Sequence, residues 1–373
     1  MTQWRTAQLG EVVELAYGKS LPKNQRASGA IPVYGSNGVS GWNDTALVNE
    51  PTVIVGRKGS AGAVQYVDQP CFPIDTTYFV RPRNGYELDM KFVYYLLRRL
   101  NLPRLATATG VPGLTREDAY RESISVPNIE EQRRIVDVLA RAEGIVHLRR
   151  EAQQKAAELI PSLFLDLFGD PATNPKHWPL AAVGDLIERF EGGKNLQAGE
   201  ANNAKYRILK ISAVTSGRYI EEEAKPAPPE IKPPASHLVR VGDLLISRAN
   251  TEALVGAVAL VEATGGTTLL PDKLWRFIWK DENVIISRFA LHLFQQPAVR
   301  CMLSRIASGT GGSMKNISQA KLKLLRLPIP PIELQRHFAA KAETVRSIAA
   351  QQSAALSTAQ AIFNALLHRA FVG

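Results

Sequence analysis

The sequence predicts an α+β chain of two mixed, mostly β globules separated by two long helices. If the helices pair antiparallel as a coiled coil, the chain closes into a pseudo-twofold. Three observations predict this. A Pro-x-Ile-Glu-x-Gln-Arg element occurs at Pro127 to Arg133 and again at Pro330 to Arg336. Its glutamines, Gln132 and Gln335, lie 203 residues apart, and that offset holds without a gap to Phe168 and Phe371. The segments before each copy open alike, with Leu9-Gly10-Glu11-Val12-Val13 echoed by Val183-Gly184-Asp185-Leu186-Ile187 and Trp4 by Trp178. The predicted domains are therefore residues 1–127, a helix over 128–175, residues 176–328, and a second helix over 329–373.

In the first globule, Leu9 to Val13 reads as a short strand or helix. Thr52-Val53-Ile54-Val55 reads as a buried strand, Ala63 to Val67 and Thr76 to Val80 as further strands, and Phe92 to Leu100 as a helix. A Gly/Thr-rich loop from Thr107 to Gly113 precedes Leu114-Thr115-Arg116-Glu117. In the second globule Asp243 to Ile246 takes the place of the strand at Thr52, and Gly256-Ala257-Val258 matches Gly62-Ala63-Val64. Ser308 to Asn316 matches the Gly/Thr loop, and Ile317-Ser318 falls on Leu114-Thr115. The offset grows from 174 residues at Gly10 and Gly184 to 203 at the helices, so the second globule is longer by 29. Part of the excess is expected in the acidic, proline-rich run Glu221 to Pro234, read as a solvated loop.

Each helix opens with a proline that excludes the preceding residue from helix and with glutamates in the first turn, where the helix dipole favours them. With Ile135 at heptad position a, the first helix places Ile135, Ala142, Ala156 and Leu163 at a. Val138, Ile145, Ala152 and Leu159 fall at d, and Leu139, Val146, Ile160 and Leu167 at e. The second helix carries Phe338, Val345, Ala359 and Leu366 at a, Ile348, Ala355 and Ile362 at d, and Ala342, Ala349, Leu356 and Phe363 at e. Such a stripe suits pairing; the simpler alternative is that each helix packs only on its own globule. Antiparallel pairing in full overlap sets Arg149 opposite Gln352, a polar layer fixing register. Pro161 predicts a kink in the first helix.

Composition narrows the function classes. A net charge of +10 and a pI near 9.6 favour a polyanionic partner, nucleic acid first. The longest apolar run, Leu254 to Val261, is too short to span a bilayer. Two cysteines, Cys71 and Cys301, suggest neither a disulfide framework nor a metal cluster, and a reducing cytoplasm is expected. Motifs for chemistry fail in turn. Gly18-Lys19-Ser20 has Val13 where a phosphate-binding loop needs glycine. Gly309-Thr310-Gly311-Gly312 lacks dinucleotide spacing. No Asn-Pro-Pro or Asp-Pro-Pro followed by an aromatic holds a target base, and Glu223-Ala224-Lys225 has no Pro-Asp pair upstream to complete a nuclease site. The six histidines show no metal-ligand spacing. No catalysis is expected.

Binding chemistry remains. Gly56-Arg57-Lys58-Gly59-Ser60 and Ser247-Arg248-Ala249-Asn250 each set a flexible backbone beside a cation at matching strand ends. Arginine can donate two parallel hydrogen bonds to the major-groove edge of guanine, and asparagine serves adenine likewise. Arg57, Lys58, Ser60, Arg248 and Asn250 are therefore candidate base contacts, against the bland reading of basic turns solvating strand ends. Lys19, Lys194, Arg116 and Lys315 are candidate phosphate contacts, which position without specifying.

The Pro-x-Ile-Glu-x-Gln-Arg elements resemble the helices of the DNA specificity subunits of type I restriction-modification enzymes. Val53 to Gly62 and Gly-Asp-Leu-Leu-Ile-Ser-Arg from Gly242 to Arg248 resemble that family's target recognition domains, of which the chain has two. The departures are His337 in the place of Arg134, and Pro161. The resemblance implies that each globule reads one half of a bipartite duplex DNA target and that the paired helices space the readers. It implies that Gln132, Arg133, Gln335 and Arg336, with Arg149 and Gln352, serve the coiled coil and its subunit contacts. Modification subunits dock there and motor-nuclease restriction subunits join them. The chain would be non-catalytic, with S-adenosylmethionine, ATP and Mg on the partners only. An alternative partner set is a methyltransferase system without a nuclease. Two rival classes are a methyltransferase with its own recognition domain and a coiled-coil scaffold holding proteins and not DNA.

Overall fold

The computed structural model describes residues 4–107, 110–199, 204–309 and 314–371. The chain forms two compact units. Unit 1 is residues 1–152 with 352–373, and unit 2 is residues 153–351. Each joins one globule to a segment of both long helices, because each globule covers its core with helix faces from both.

Unit 1 runs through β1 (Arg5–Gln8), α1 (Leu9–Val12), β2 (Val13–Tyr17), β3 (Ile31–Gly35), β4 (Gly38–Asn43), β5 (Thr52–Gly56), β6 (Val64–Val67), β7 (Phe72–Pro73) and β8 (Thr77–Pro82). Then come α2 (Met90–Leu100), α3 (Arg116–Tyr120), β9 (Ser123–Val126) and α4 (Ile129–Phe168). Strands order as β2-β8-β5-β6, β4-β3-β7 and β1-β9. The β-branched run of β5 is buried along its whole length, as a central strand covered on both faces requires. The Asp89 carboxylate caps α2, accepting from the Lys91 and Phe92 amides at 2.8 and 3.1 Å.

On α2 rest the opening turns of α4 and the last turns of the C-terminal helix (Ile332–Arg369). Arg98 pairs with Glu143 and lies 4.9 Å from the Phe363 ring, while Arg149, farther along α4, donates to Gln352 Oε1 at 3.0 Å. The two segments therefore run antiparallel within this unit. Arg149 sits at the surface, not in a buried layer.

Unit 2 repeats the plan with β10 (Leu180–Ala182), α5 (Val183–Leu186), β11 (Ile187–Gly192), β12 (Arg207–Leu209), α6 (Ser212–Thr215), β13 (Ala224–Pro226), β14 (Leu244–Ser247), β15 (Ala249–Asn250), β16 (Val258–Leu260), β17 (Thr268–Leu269) and β18 (Leu274–Trp279). It closes with α7 (Ser287–Gln295), α8 (Pro297–Ile306), β19 (Lys315–Asn316), α9 (Gln319–Leu324), β20 (Arg326–Pro328) and the C-terminal helix, α10. Its sheets, β11-β18-β14-β16, β13-β12-β17 and β10-β20, match those of unit 1 strand for strand, with β15-β19 added. Phe289 of α7, Phe164 and Phe168 of α4, and Phe338 of α10 form one aromatic cluster with centroids 4.9–5.8 Å apart.

Three expectations change. The heptad d positions do not face the core: Val138, Ile145, Leu159, Ile348 and Ile362 are 44–53% exposed, whereas Ile135, Leu139, Val146, Ala342 and Phe363 are buried. A helix resting on a globule as well as on a helix buries a broader face than a two-stranded seam, and here that face is a and e. Glu221 to Pro234 is not simply solvated. Glu221 accepts from Thr264 and Thr268 hydroxyls at 2.7 Å and from the Gly265 amide, and Ala224–Pro226 is a sheet strand. Gln132 and Gln335 are not seam or docking residues. Both are wholly buried, and each clamps its helix to its own globule. Gln132 accepts from the Asp89 amide and donates to the Glu87 and Pro127 carbonyls, and Gln335 repeats this with Ile286, Val284 and Pro330. The first long helix, α4, contains Pro161 and runs on to Phe168.

Candidate nucleic-acid interface

The predicted DNA contacts collect at one end of each four-stranded sheet. In unit 1, β5 ends at Gly56, where the chain turns through Arg57 to Gly62. This turn is pinned, contrary to the flexible backbone expected of its glycines. The Arg57 and Lys58 amides donate to the Thr76 carbonyl at 2.9 and 3.2 Å, Gly59 to Pro112 at 2.9 Å, and Leu114 to Arg57 at 2.9 Å. The Ser36 hydroxyl donates to the Lys58 carbonyl at 2.6 Å. Arg57 Nη1 donates to the Asp75 carbonyl at 3.0 Å, and its guanidinium lies 4.9 Å from the Tyr17 ring. Arg116 lies 4.4 Å from the same ring, which in turn packs on Tyr78 at 5.2 Å. Burial, with Tyr17 beside it, pushes the Tyr78 phenol up to about 12, so it stays a donor, to the Leu114 carbonyl at 3.0 Å. Lys19, Lys58 and Ser60 are exposed around this cluster.

Unit 2 repeats the backbone bonds at the arginine. The Arg248 amide donates to Lys273 at 3.0 Å, and the Ile317 amide to Arg248 at 2.8 Å. Arg248 Nε donates to the Asp272 carbonyl at 2.7 Å, as Arg57 does to Asp75, and Nη2 lies 3.6 Å from the Asp272 carboxylate. The aromatic support changes strand. Tyr17 faces Tyr78 across β2 and β8, while Gly192 faces Trp275 across β11 and β18. A Cβ on Gly192 would come 2.8 Å from the indole, so the large Trp275 fills the space and lies 5.5 Å from the Arg248 guanidinium. Asn250 pairs with Lys315 across β15 and β19. Its Oδ1 accepts from the Thr251 amide at 2.8 Å, so its amide is turned onto its own loop and must rotate to read a base. Lys194 is exposed and follows Gly193, as Lys19 follows Gly18. A Cβ would come 1.6 Å from the Leu270 carbonyl at Gly193 and 2.1 Å from the Ile74 carbonyl at Gly18. Parts of the Gly/Thr loops, residues 108–109 and 310–313, lie outside the described residues.

Sequence reasoning missed Tyr17, Trp275 and Asp272. Tyr17 carried a signal, an aromatic directly before Gly18-Lys19; Asp272 carried none. Of the remaining candidates, Arg133 is exposed, and Arg336 pairs with Glu333 at 2.9 Å and donates to Asn283 at 3.2 Å. Among the described residues no group of three His, Cys, Asp or Glu could hold a metal, and no helix is long and apolar enough to cross a membrane. Guanidinium on aromatic, rimmed by lysines and held by fixed backbone, can bind phosphate and present donors to base edges; it offers no nucleophile and base in partnership.

Comparison with known proteins agrees. The family model described as the type I restriction modification DNA specificity domain matches twice, over residues 1–157 and 175–356. The EcoEI type I restriction enzyme specificity subunit of Escherichia coli is 27% identical over 218 residues, 58% of this chain but only 36% of that protein. The MjaVIII specificity subunit of Methanocaldococcus jannaschii is 22% identical over 92% of this chain and 86% of its own length. The crystal structure of a type I restriction-modification S subunit from M. genitalium shares the fold, with a TM-score of 0.62 at 17% identity over 100% of this chain and 97% of that one. A chain from a study of complex assembly and conformational transition of the type I system matches equally, at 0.62 and 17% over 99% and 98%.

Proposed function

This chain belongs to the type I restriction-modification DNA specificity family, and from that premise we propose that it reads an interrupted, asymmetric duplex target for a type I restriction-modification complex. One observation carries the reading: the two units hold an arginine on the same backbone scaffold but surround it with different side chains. Tyr17, Tyr78 and Arg116 flank Arg57; Trp275, Asn250 and Lys315 flank Arg248. Like scaffolds with unlike readers fit two different half-sites, whereas identical readers would fit a palindrome. Arg57 discriminates bases in the first half-site, with Lys58 and Ser60 beside it. Arg248 and Asn250 do so in the second, each good bidentate contact being worth about 1–3 kcal/mol. Lys19, Arg116, Lys194 and Lys315 neutralise phosphates.

The chain is a non-catalytic subunit. Modification subunits, bearing S-adenosylmethionine, dock on the long helices, and restriction subunits, using ATP and Mg, join them in the cytoplasm. The exposed Val138, Ile145 and Ile362 of unit 1 and Leu159 and Ile348 of unit 2 support docking, since apolar side chains left in water on helix faces suit a protein partner. The test is methylation mapping of DNA treated with the assembled complex. Modification confined to one interrupted, non-palindromic sequence supports the reading; palindromic or sequence-independent modification rejects it.

A further inference from the structure

In unit 1 a cavity of about 420 Å³ opens between α2 and the helix segments packed on it. Tyr66, Lys91, Arg98, Glu143, His147 and Arg150 line it. The one carboxylate is already engaged: Glu143 pairs with Arg98 and accepts from the Tyr94 and Tyr95 hydroxyls at 3.2 and 2.9 Å. Lys91 has no ion pair among the described residues and lies 5.6 Å from the Tyr66 ring centroid; Arg150 has no ion pair either. His147 faces Glu151 at 3.3 Å. The cavity is therefore cationic.

The corresponding place in unit 2 is filled from within. Gln335 clamps Ile286 as Gln132 clamps Asp89, so Arg288 holds the position of Lys91. The helix repeat puts Arg346 at the place of Glu143, and the strand pairing puts Glu262 at the place of Asp68. Glu262 pairs with Arg288 at 3.0 Å and with Arg346, and Glu343 adds a second carboxylate to Arg288 at 2.9 Å. In unit 1 the shorter Asp68 makes no ion pair among the described residues. One duplicated architecture thus pairs the carboxylate at this position with two arginines in unit 2 and, in unit 1, leaves Lys91 without an ion pair among the described residues.

We propose that the cavity of unit 1 receives a carboxylate from outside, on an acidic segment of the docked modification subunit. This rests on the docking reading above and assigns it a site. Lys91 and Arg150 pair with the incoming acid, while Tyr66 and Phe363 cover its apolar neighbours. Half-exposed cations in an open cavity hold a free carboxylate or phosphate ion weakly against water and salt. A segment already tethered by helix docking meets them at high effective concentration.

The test uses the full chain and the modification subunit encoded with it, without DNA, with association measured across salt concentrations. Lys91→Glu with Arg150→Glu should weaken association at least tenfold at low salt and flatten its salt dependence. Lys155→Glu, on an exposed lysine of the same helix, should change it less than twofold. Carbodiimide coupling should join Lys91 to an Asp or Glu of the modification subunit. Unchanged association in the double variant, equal loss with Lys155→Glu, or coupling of Lys91 only within its own chain overturns the inference and leaves docking standing. Protection of Lys91 by inorganic phosphate, with no effect of the modification subunit, makes this a small-anion site and overturns it too. No association of the unaltered chain overturns both.

Discussion

Gln132→Met tests how each helix is fixed to its globule. Methionine nearly matches glutamine in volume, so packing is kept while three hydrogen bonds are lost: from the Asp89 amide at 2.9 Å and to the Glu87 and Pro127 carbonyls, both at 3.0 Å. A stranded buried group costs roughly 1–3 kcal/mol, which sets a ceiling of about 9 kcal/mol for three. Carbonyls tolerate lower occupancy, and Glu87 lies at the surface where water replaces the donor, so the expected loss is about 3 kcal/mol. The effect should be local, because the Asp89 side chain also caps α2. Hydrogen exchange resolved by residue is the assay. The amides of Asp89, Lys91 and Phe92 should lose about a hundredfold in protection, a factor equivalent to about 2.7 kcal/mol. Gln335→Met should act on Ile286 and spare α2. Protection at Asp89 within threefold of the unaltered chain, or loss spread evenly over unit 1, refutes the reasoning.

Further outcomes follow from the same geometry. Burial lowers the pKa of His292 to about 4, so the unfolded chain binds its proton first as pH falls. Stability of unit 2 is then full above about 6.5 and declines by up to about 3 kcal/mol toward pH 4, and denaturant midpoints for His292→Leu should remove that slope. Gly193→Ala sets a Cβ 1.6 Å from a backbone carbonyl and should cost unit 2 at least about 2 kcal/mol, read by thermal unfolding. Lys315→Ala should weaken duplex binding of the assembled complex for all sequences and lower its salt slope by about one. Arg57→Lys, which loses the planar fork, should relax base preference in one half-site by about 1–3 kcal/mol in competition binding.

Much of this was legible because the repeat is written in residues with one backbone role. Thr115 and Ser318, at the 203 offset, both cap a short helix, accepting from the Asp118 and Lys321 amides. Gly18 and Gly193 both stand where another chain segment leaves no room for a side chain. What stayed hidden depended on partners distant in sequence. The exchange of Tyr17 and Tyr78 for Gly192 and Trp275 moves the aromatic support onto one strand of the pair and shows only when the register is known. Glu221 looks like part of a solvated acidic run until Thr264 and Thr268 are brought to it. The heptad reading found the buried a and e positions of the helices but wrongly added d to that face. Ile145 is equally apolar whether it meets its own globule or a partner.

The central claim, one reader per half-site, is tested most directly by exchanging residues 176–328 for the equivalent segment of a related specificity subunit. Methylation is then mapped with the modification subunit unchanged. The account predicts that one half of the modified sequence changes while the other half, read around Arg57, persists. A change in both halves together, or in neither, contradicts it.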